Sequence, residues 1–172
     1  MEILLETQRL ILRRYKVTDL MDLYEYLSDP VVVKYEPYRT MSLDEVKENL
    51  MWRISTHEMI AVVLKESNKM IGNLYLGDRD FQSKELGYVF NRSYWGKGFA
   101  EEACRALIKR SFSEGVHRLY SECDPNNTAS WKLLEKLGFI REAHFIQNVY
   151  FFIDEEGKPL WKDTFVYSLL NQ

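Results

Sequence analysis

The stretch Tyr94–Ala100 reads YWGKGFA and sets two glycines around one lysine. It lies between a segment that alternates as a strand does and one that repeats as a helix does. The first turn of a helix at such a junction presents backbone N–H groups without intrahelical partners, and their partial positive charge attracts phosphate oxygens. Gly96 and Gly98 would let the backbone curl close to an anion without a Cβ in the way. Lys97 would add a charge or project into solvent. The spacing fits both a tight structural turn and an anion cradle. Two nucleotide patterns are excluded: no GxxxxGK[ST] occurs, and GKGFAEE puts Glu101 where GxGxxG needs its third glycine. The other reactive residue types are scattered. His57, His117 and His144 form no HExxH, and with Cys104 and Cys123 they form no zinc spacing, so no metal is expected. No histidine has an evident nucleophile beside it.

Such a loop needs a rigid frame, and the composition supplies one. Of 172 residues, 46% are hydrophobic and 14% aromatic, which suits one folded domain spanning residues 1–172 and argues against disorder. A net charge of −3 gives a nucleic-acid role no support. Two cysteines are too few for a disulfide scaffold and read as reduced thiols in or near the core. The opening MEILLETQRLILRR lacks the order of a secretion signal, and no apolar run approaches membrane-spanning length. A cytoplasmic protein without a membrane partner is the expectation.

Periodicity gives the elements. Arg9–Tyr15 reads as a strand. Thr18 is placed to cap a helix to about Leu27, with Leu20, Leu23, Tyr24 and Leu27 on its buried stripe, and Ser28-Asp29-Pro30 ends it. Ser42 and Glu45 have the spacing of a capping box for a helix over Leu43–Thr56, with Leu43, Val46, Leu50 and Ile54 as its apolar side. Three strands follow, Ile60–Lys65, Lys69–Leu76 and Glu85–Asn91, with a tight turn at Glu66–Lys69 and a longer polar connection at Gly77–Lys84. The helix after the glycines runs to Gly115 and buries Ala100, Ala103, Cys104, Leu107 and Ile108. A strand at His117–Cys123, a turn and cap at Asp124–Ser130 and a helix from Ser130 to Leu137 come next, stopped by Gly138. Strand-like runs at Ala143–Ile153 and Thr164–Leu170 flank a turn at Asp154–Pro159. The expectation is one α/β domain with a central sheet.

Two segments in this order resemble a known family. Glu85–Ile108, ELGYVFNRSYWGKGFAEEACRALI, resembles the acetyl-CoA-binding segment of GNAT N-acetyltransferases, especially the branch of ribosomal-protein N-terminal acetyltransferases of the RimJ/RimL type. Asp124–Ala143, DPNNTASWKLLEKLGFIREA, resembles that branch's second conserved segment, and the two ends of the chain are similar as well. The resemblance implies a mixed, mostly antiparallel sheet flanked by helices. It implies acetyl transfer from acetyl-CoA to a primary amine, a small molecule or a protein N-terminus, directly within a ternary complex. The family's pyrophosphate loop, Q/R-x-x-G-x-G/A, falls on Ser93 to Gly98, with Ser93 departing from its first position. The resemblance places pyrophosphate at the N–H groups of Trp95, Gly96, Lys97, Gly98, Phe99 and Ala100. It lays the pantetheine arm along Gly87, Tyr88, Val89 and Phe90, continuing the sheet.

The same resemblance puts Asn127 and Ser130 beside the cofactor arm near its thiol, Ser130 as donor to the leaving thiolate. As residues alone, Asn127, Thr128 and Ser130 are ordinary turn and cap residues. The tyrosine many family members carry before the terminal GF is Leu134 here. Glu85 is the first general-base candidate and Glu122 the second, while Glu101 and Glu102 suit the first turn of a helix. The resemblance also implies an acceptor-side wall from the region VKYEPYRT, with Tyr35, Tyr38 and Arg39 as its candidates. Of Tyr150, Phe151 and Phe152, neighbours on a strand would face opposite ways. An exposed final strand would suit a homodimer. The alternatives from other classes are a non-catalytic acyl-CoA-binding or regulatory module and a plain interaction domain.

Overall fold

The structure, a computed structural model, describes residues 2–172. In chain order the elements are β1 (Ile3–Glu6), β2 (Leu10–Arg13), α1 (Leu20–Leu27), α2 (Leu43–Ser55), β3 (Met59–Leu64), β4 (Lys69–Arg79), β5 (Ser83–Phe90), α3 (Phe99–Ser113), β6 (Arg118–Cys123), α4 (Thr128–Lys136), β7 (Ile140–Val149) and β8 (Lys162–Leu170). The strands form one sheet in the order β1-β2-β3-β4-β5-β6-β8-β7. Every neighbouring pair is antiparallel except β5 and β6.

Alternation along the strands gives each sheet face its own core. Ile60 and Val62 of β3 join Leu74, Leu86 and Phe90 under α3 and α4, with Ala103, Cys104, Leu107 and Leu134. Met59, Ala61 and Val63 turn to the other face, under α1 and α2, with Leu23, Leu27, Val46 and Leu50. The capping box at Ser42 forms as expected: Glu45 N–H donates to Ser42 Oγ, and Ser42 N–H donates to Glu45 Oε2 at 2.7 Å.

Several expected boundaries move. Ile3–Glu6 adds an edge strand that the sequence reading does not contain. Thr18 is not the cap of α1. It sits in a short 3₁₀ turn, Val17–Asp19, where Asp19 accepts from Lys16 N–H at 2.9 Å and pairs with buried Arg13 at 2.7 Å. The polar connection expected at Gly77–Lys84 is mostly strand, since β4 and β5 stay paired to Arg79↔Ser83. The chain reverses there through Phe81 and Gln82, both at positive φ, 59° and 55°. β7 begins earlier than expected and ends at Val149, after irregular pairing between Phe145 and Val149. Tyr150, Phe151 and Phe152 lie beyond it.

Candidate acetyl-transfer site

β5 and β6 pair through three residue pairs, from Ser83↔Arg118 to Glu85↔Tyr120, and then separate. β5 continues to Phe90 against β4 alone. Asn91 N–H donates to Ile71 O at 2.9 Å. In an antiparallel ladder this turns the polar groups of Val89 and Gly87 toward β4 and those of Tyr88 and Phe90 away, into the gap. Phe90 O accepts from Trp95 Nε1 at 2.8 Å, which folds the following loop over the end of the gap.

That loop has the features its sequence promised. Gly96 and Gly98 both have positive φ, 71° and 78°, a region that costs any L side chain energy. Gly98 is the left-handed N-cap of α3 and offers no side chain to cap it. Among the described residues, no protein acceptor meets the N–H groups of Gly96, Lys97, Gly98, Phe99, Ala100 and Glu101. A Cβ at Gly96 would meet nothing within 4 Å, so that face of the loop is open. Six unpaired donors at a helix start suit a diphosphate. Lys97 itself bends back, with Nζ donating to Ser93 O at 3.0 Å.

Arg9, immediately before β2, braces the loop. Its Nε donates to Glu102 Oε2 at 2.6 Å, its NH1 to Lys97 O at 3.0 Å, and its guanidinium lies 4.3 Å from the centre of the Phe99 ring. Burial opposes the Glu102 charge, but Thr7, Arg9 N–H and the Arg9 side chain hold its carboxyl below the ordinary value. The sequence reading assigned Glu102 to the acidic first turn and gave Arg9 no role, because nothing local marks residues so far apart as partners.

At the other end of the gap, Tyr88 reaches from β5 to α4. Its hydroxyl donates to Ser130 O at 2.9 Å and lies 3.1 Å from Ser130 Oγ. Burial holds the phenol well above its ordinary pKa against the opposing Ser130 contact, so it remains a neutral donor. Asn127 caps α4, accepting from Ser130 N–H at 3.3 Å. Cys123 ends β6 beside this pair, and burial, with Asp124 next to it, lifts its thiol to about 11. The thiol is therefore protonated at neutral pH and is no nucleophile.

The two residues expected to be catalytic lie apart. Glu85 and Tyr88 are three positions apart on one strand and face opposite sides of the sheet. Glu85 forms an ion pair with Arg79, and Tyr120 donates to it at 3.4 Å. Burial and the neighbouring Glu85 carboxylate raise the pKa of Glu122. Tyr35, Tyr38 and Arg39 all lie on the loop between α1 and α2. The Arg39 guanidinium sits 4.7 Å from the Phe152 ring centre, joining that loop to the β7–β8 connection. A cleft of about 740 Å³ opens between Lys34, Tyr35, Asp124, Pro125, Trp161 and Lys162. Lys162 pairs with Asp124 at 2.9 Å and sits over the Tyr35 ring. Among the described residues no cluster of His, Cys, Asp and Glu could hold a metal.

Residues 9–140 match the family model described as acetyltransferase (GNAT) domain. The chain belongs to this family. It is 30% identical over 172 residues to an uncharacterised N-acetyltransferase, YnaD, of Bacillus subtilis (strain 168), covering 96% of each. A crystal structure of a GNAT-family acetyltransferase from Bacillus anthracis superposes with a TM-score of 0.88 at 29% identity, over 99% of both chains. The spermidine N-acetyltransferase of Vibrio cholerae, solved with CoA and spermine, shares the fold at a TM-score of 0.78 and 22% identity, over 96% of this chain and 97% of that one. Family membership carries the general activity, acetyl transfer that depends on acetyl-CoA, and the GNAT sheet is the one described above.

Proposed function

We infer that the chain acetylates a primary amine, with acetyl-CoA and the acceptor bound together and the acetyl group passing directly between them. The observation that carries this is the open edge of β5. The Tyr88 N–H and C=O and the Phe90 N–H, free of ladder partners, lead to six unpaired N–H groups at the start of α3. A pantetheine arm can extend the sheet along that edge, and its diphosphate can sit on the loop. Tyr88 and Phe90 would carry the arm by their backbone, whereas Gly87 and Val89, expected to share that role, turn theirs to β4; Gly96 through Glu101 would carry the diphosphate, and the Trp95 N–H, expected among them, instead donates to Arg92 O at 3.1 Å.

Acetyl-CoA supplies the activated acyl group and a thiolate leaving group. The chain's own residues position, screen and move protons. The Tyr88 and Ser130 hydroxyls can hand a proton toward the departing sulfur. Asn127 fixes the start of α4 and thereby Ser130. Tyr35, with the cleft it borders, and Tyr38 and Arg39, which line a separate hollow beside α2, would receive the acceptor. The RimJ/RimL branch fits an acceptor at a protein N-terminus; a small amine fits the same cleft.

Calorimetric titration with acetyl-CoA, with ATP and NAD as controls, tests the donor site. Thiol release in the presence of spermidine and of an alanine-initiated peptide tests transfer. The expected results are micromolar binding, about −8 kcal/mol at 1 μM, and CoA release in step with amine acetylation. Binding without release on a broad amine panel would favour a non-catalytic acyl-CoA module. Absence of binding would overturn the proposal.

A further inference from the structure

Resting on that function, we propose that the acceptor is a primary amine that also carries a carboxylate, and that Lys34 and Lys162 hold this carboxylate in the cleft beside Asp124. The supporting observation is which hydrogen-bonding groups the cleft leaves for a ligand. Its lining carries two lysines and two aspartates. Both aspartates are spent on the protein itself. The Asp124 side chain is only 8% exposed. Its Oδ2 accepts from Lys162 Nζ at 2.9 Å, and its Oδ1 from the Asn126 N–H and Nδ2 at 2.8 and 3.0 Å. Asp163 turns to β7, where Oδ2 meets His144 Nε2 at 2.8 Å and Oδ1 accepts from the Gln147 N–H at 2.9 Å.

The cations are not spent in the same way. Among the described residues Lys34 has no ion-pair or hydrogen-bond partner, and its Nζ stands 5.1 Å from the centre of the Tyr35 ring. Lys162 gives one donor to Asp124 and stands 5.8 Å from the centre of the same ring. One aromatic ring thus gathers two ammonium groups, drawn by its π-charge. Trp161 Nε1, also in the lining, has no protein acceptor among the described residues. The side-chain acceptors left over, the Asn126 amide and the Tyr35 hydroxyl, are neutral. The Asp124 charge offsets that of Lys162, so Lys34 is the cation without a counter-charge. Cationic donors with no free carboxylate among them select an anion.

The cleft also lies beside the transfer centre. Its floor, Asp124 to Asn126, runs from Cys123 at the end of β6 to Asn127, which caps the helix carrying Ser130. The Tyr88–Ser130 pair stands at that corner. An acceptor entering here can set its carboxylate against the lysines and turn its amine to the thioester. A polyamine would instead bring a second ammonium up to two cations, which works against it.

The test compares kcat/KM within pairs of acceptors that share an amine and differ in charge. The pairs are δ-aminovalerate and δ-aminovaleramide, L-alanine and L-alaninamide, and Ala-Glu-Ala-amide and Ala-Gln-Ala-amide, with rates referred to the unprotonated amine. Spermidine is the polycation. The carboxylate member should lead in at least one pair by about tenfold, the lower worth of a hydrogen bond to a charged group. A lead in the alanine pair makes the acceptor a free amino acid; a lead in the peptide pair makes it an acidic peptide N-terminus. Lys34→Gln should remove most of the lead through KM with kcat little changed. Lys34→Arg should keep it, and Lys34→Glu should reverse it. Acetyl-CoA affinity and cooperative melts of the variants establish the donor site and the fold separately. Equal kcat/KM within every pair, spermidine as the best acceptor, or a lead untouched by Lys34→Gln would overturn the proposal and leave acetyl transfer standing. If wild type acetylates none of these probes, ¹³C spectra of lysine-labelled protein with CoA present decide, the Lys34 signal being assigned through Lys34→Gln. Added δ-aminovalerate should shift that signal and δ-aminovaleramide should not; an unmoved signal, or equal movement with both, refutes the assignment.

Discussion

Tyr88 and Ser130 form a pair in which one proton can serve two oxygens, and each can be removed without creating a large cavity. Ser130→Ala and Tyr88→Phe should each lower kcat about 100-fold, the low end of the usual range for one proton-transfer partner. Their acetyl-CoA affinities should stay within about threefold. The double variant should lose little more than the worse single one, because the two hydroxyls act as a unit. Additive losses, measured by CoA release against calorimetric affinity, would show two separate roles. Glu36, on the loop between α1 and α2, makes a prediction about stability. Its carboxyl is raised in the folded state to about 7 from 4.5. Between those values the native chain binds a proton that the unfolded chain does not. Stability from this group is therefore fully present below about pH 4.5 and is lost as pH rises through about 7, by at most about 3 kcal/mol. Glu36→Gln should melt several degrees above wild type at pH 8.5, at about 2–4 °C per kcal/mol, and close to it at pH 5. A Gln variant with the same stability relative to wild type at both pH values would show that burial does not raise this carboxyl. The raised pKa of Glu36 was hidden in the sequence because its cause is burial in the fold, which no local pattern marks.

At the scale of elements, the legible parts were those with a local physical cause. The Ser42–Glu45 box, the helix stops at Gly115 and Gly138, and the left-handed Gly98 all follow from residue type and spacing. The turn at Phe81 and Gln82 was not legible, because two non-glycine residues adopt positive φ there, held by the continuing β4–β5 ladder. Ile3–Glu6 is too short to show a period, and pairing with β2 makes it a strand. The glycine loop was legible as a left-handed turn at a helix start, but its brace was not. Arg9 and Glu102 sit on different elements and connect β2's start to the first turn of α3. Glu102→Gln should release the Arg9 guanidinium and let the loop sample other shapes. Acetyl-CoA affinity should fall on the order of tenfold. Thermal stability should drop by only about 1 kcal/mol, since the pair is partly exposed. Dissociation constants and melts on the same samples check this. Loss of stability without loss of affinity would make the brace purely structural.

The molecule as a whole is a sheet with a seam. β1 to β5 form one run of continuous antiparallel ladder, and β6, β8 and β7 form another. The two meet directly at the three residue pairs between β5 and β6. Beyond those pairs the halves are connected by side chains: Tyr88 to Ser130 across the opening, and the shared core beneath α3 and α4. A ligand lying in the opening would replace missing ladder contacts and tie the halves together, whereas one bound at the outer surface would not. Saturation at 100 times Kd should stabilise the native state by about 2.7 kcal/mol, a rise in Tm of about 5–10 °C for a chain of this size. The same addition should slow amide exchange at Tyr88 and Phe90 and at Gly96 through Glu101, the groups without protein acceptors. Exchange at Ala61 and Val62, in the closed ladder between β2 and β4, should change only through global unfolding. ATP and NAD at equal concentration should leave both measurements where they were. A rise in Tm with no slowing from Tyr88 to Glu101 would place acetyl-CoA away from the seam and remove the structural basis for the transfer site.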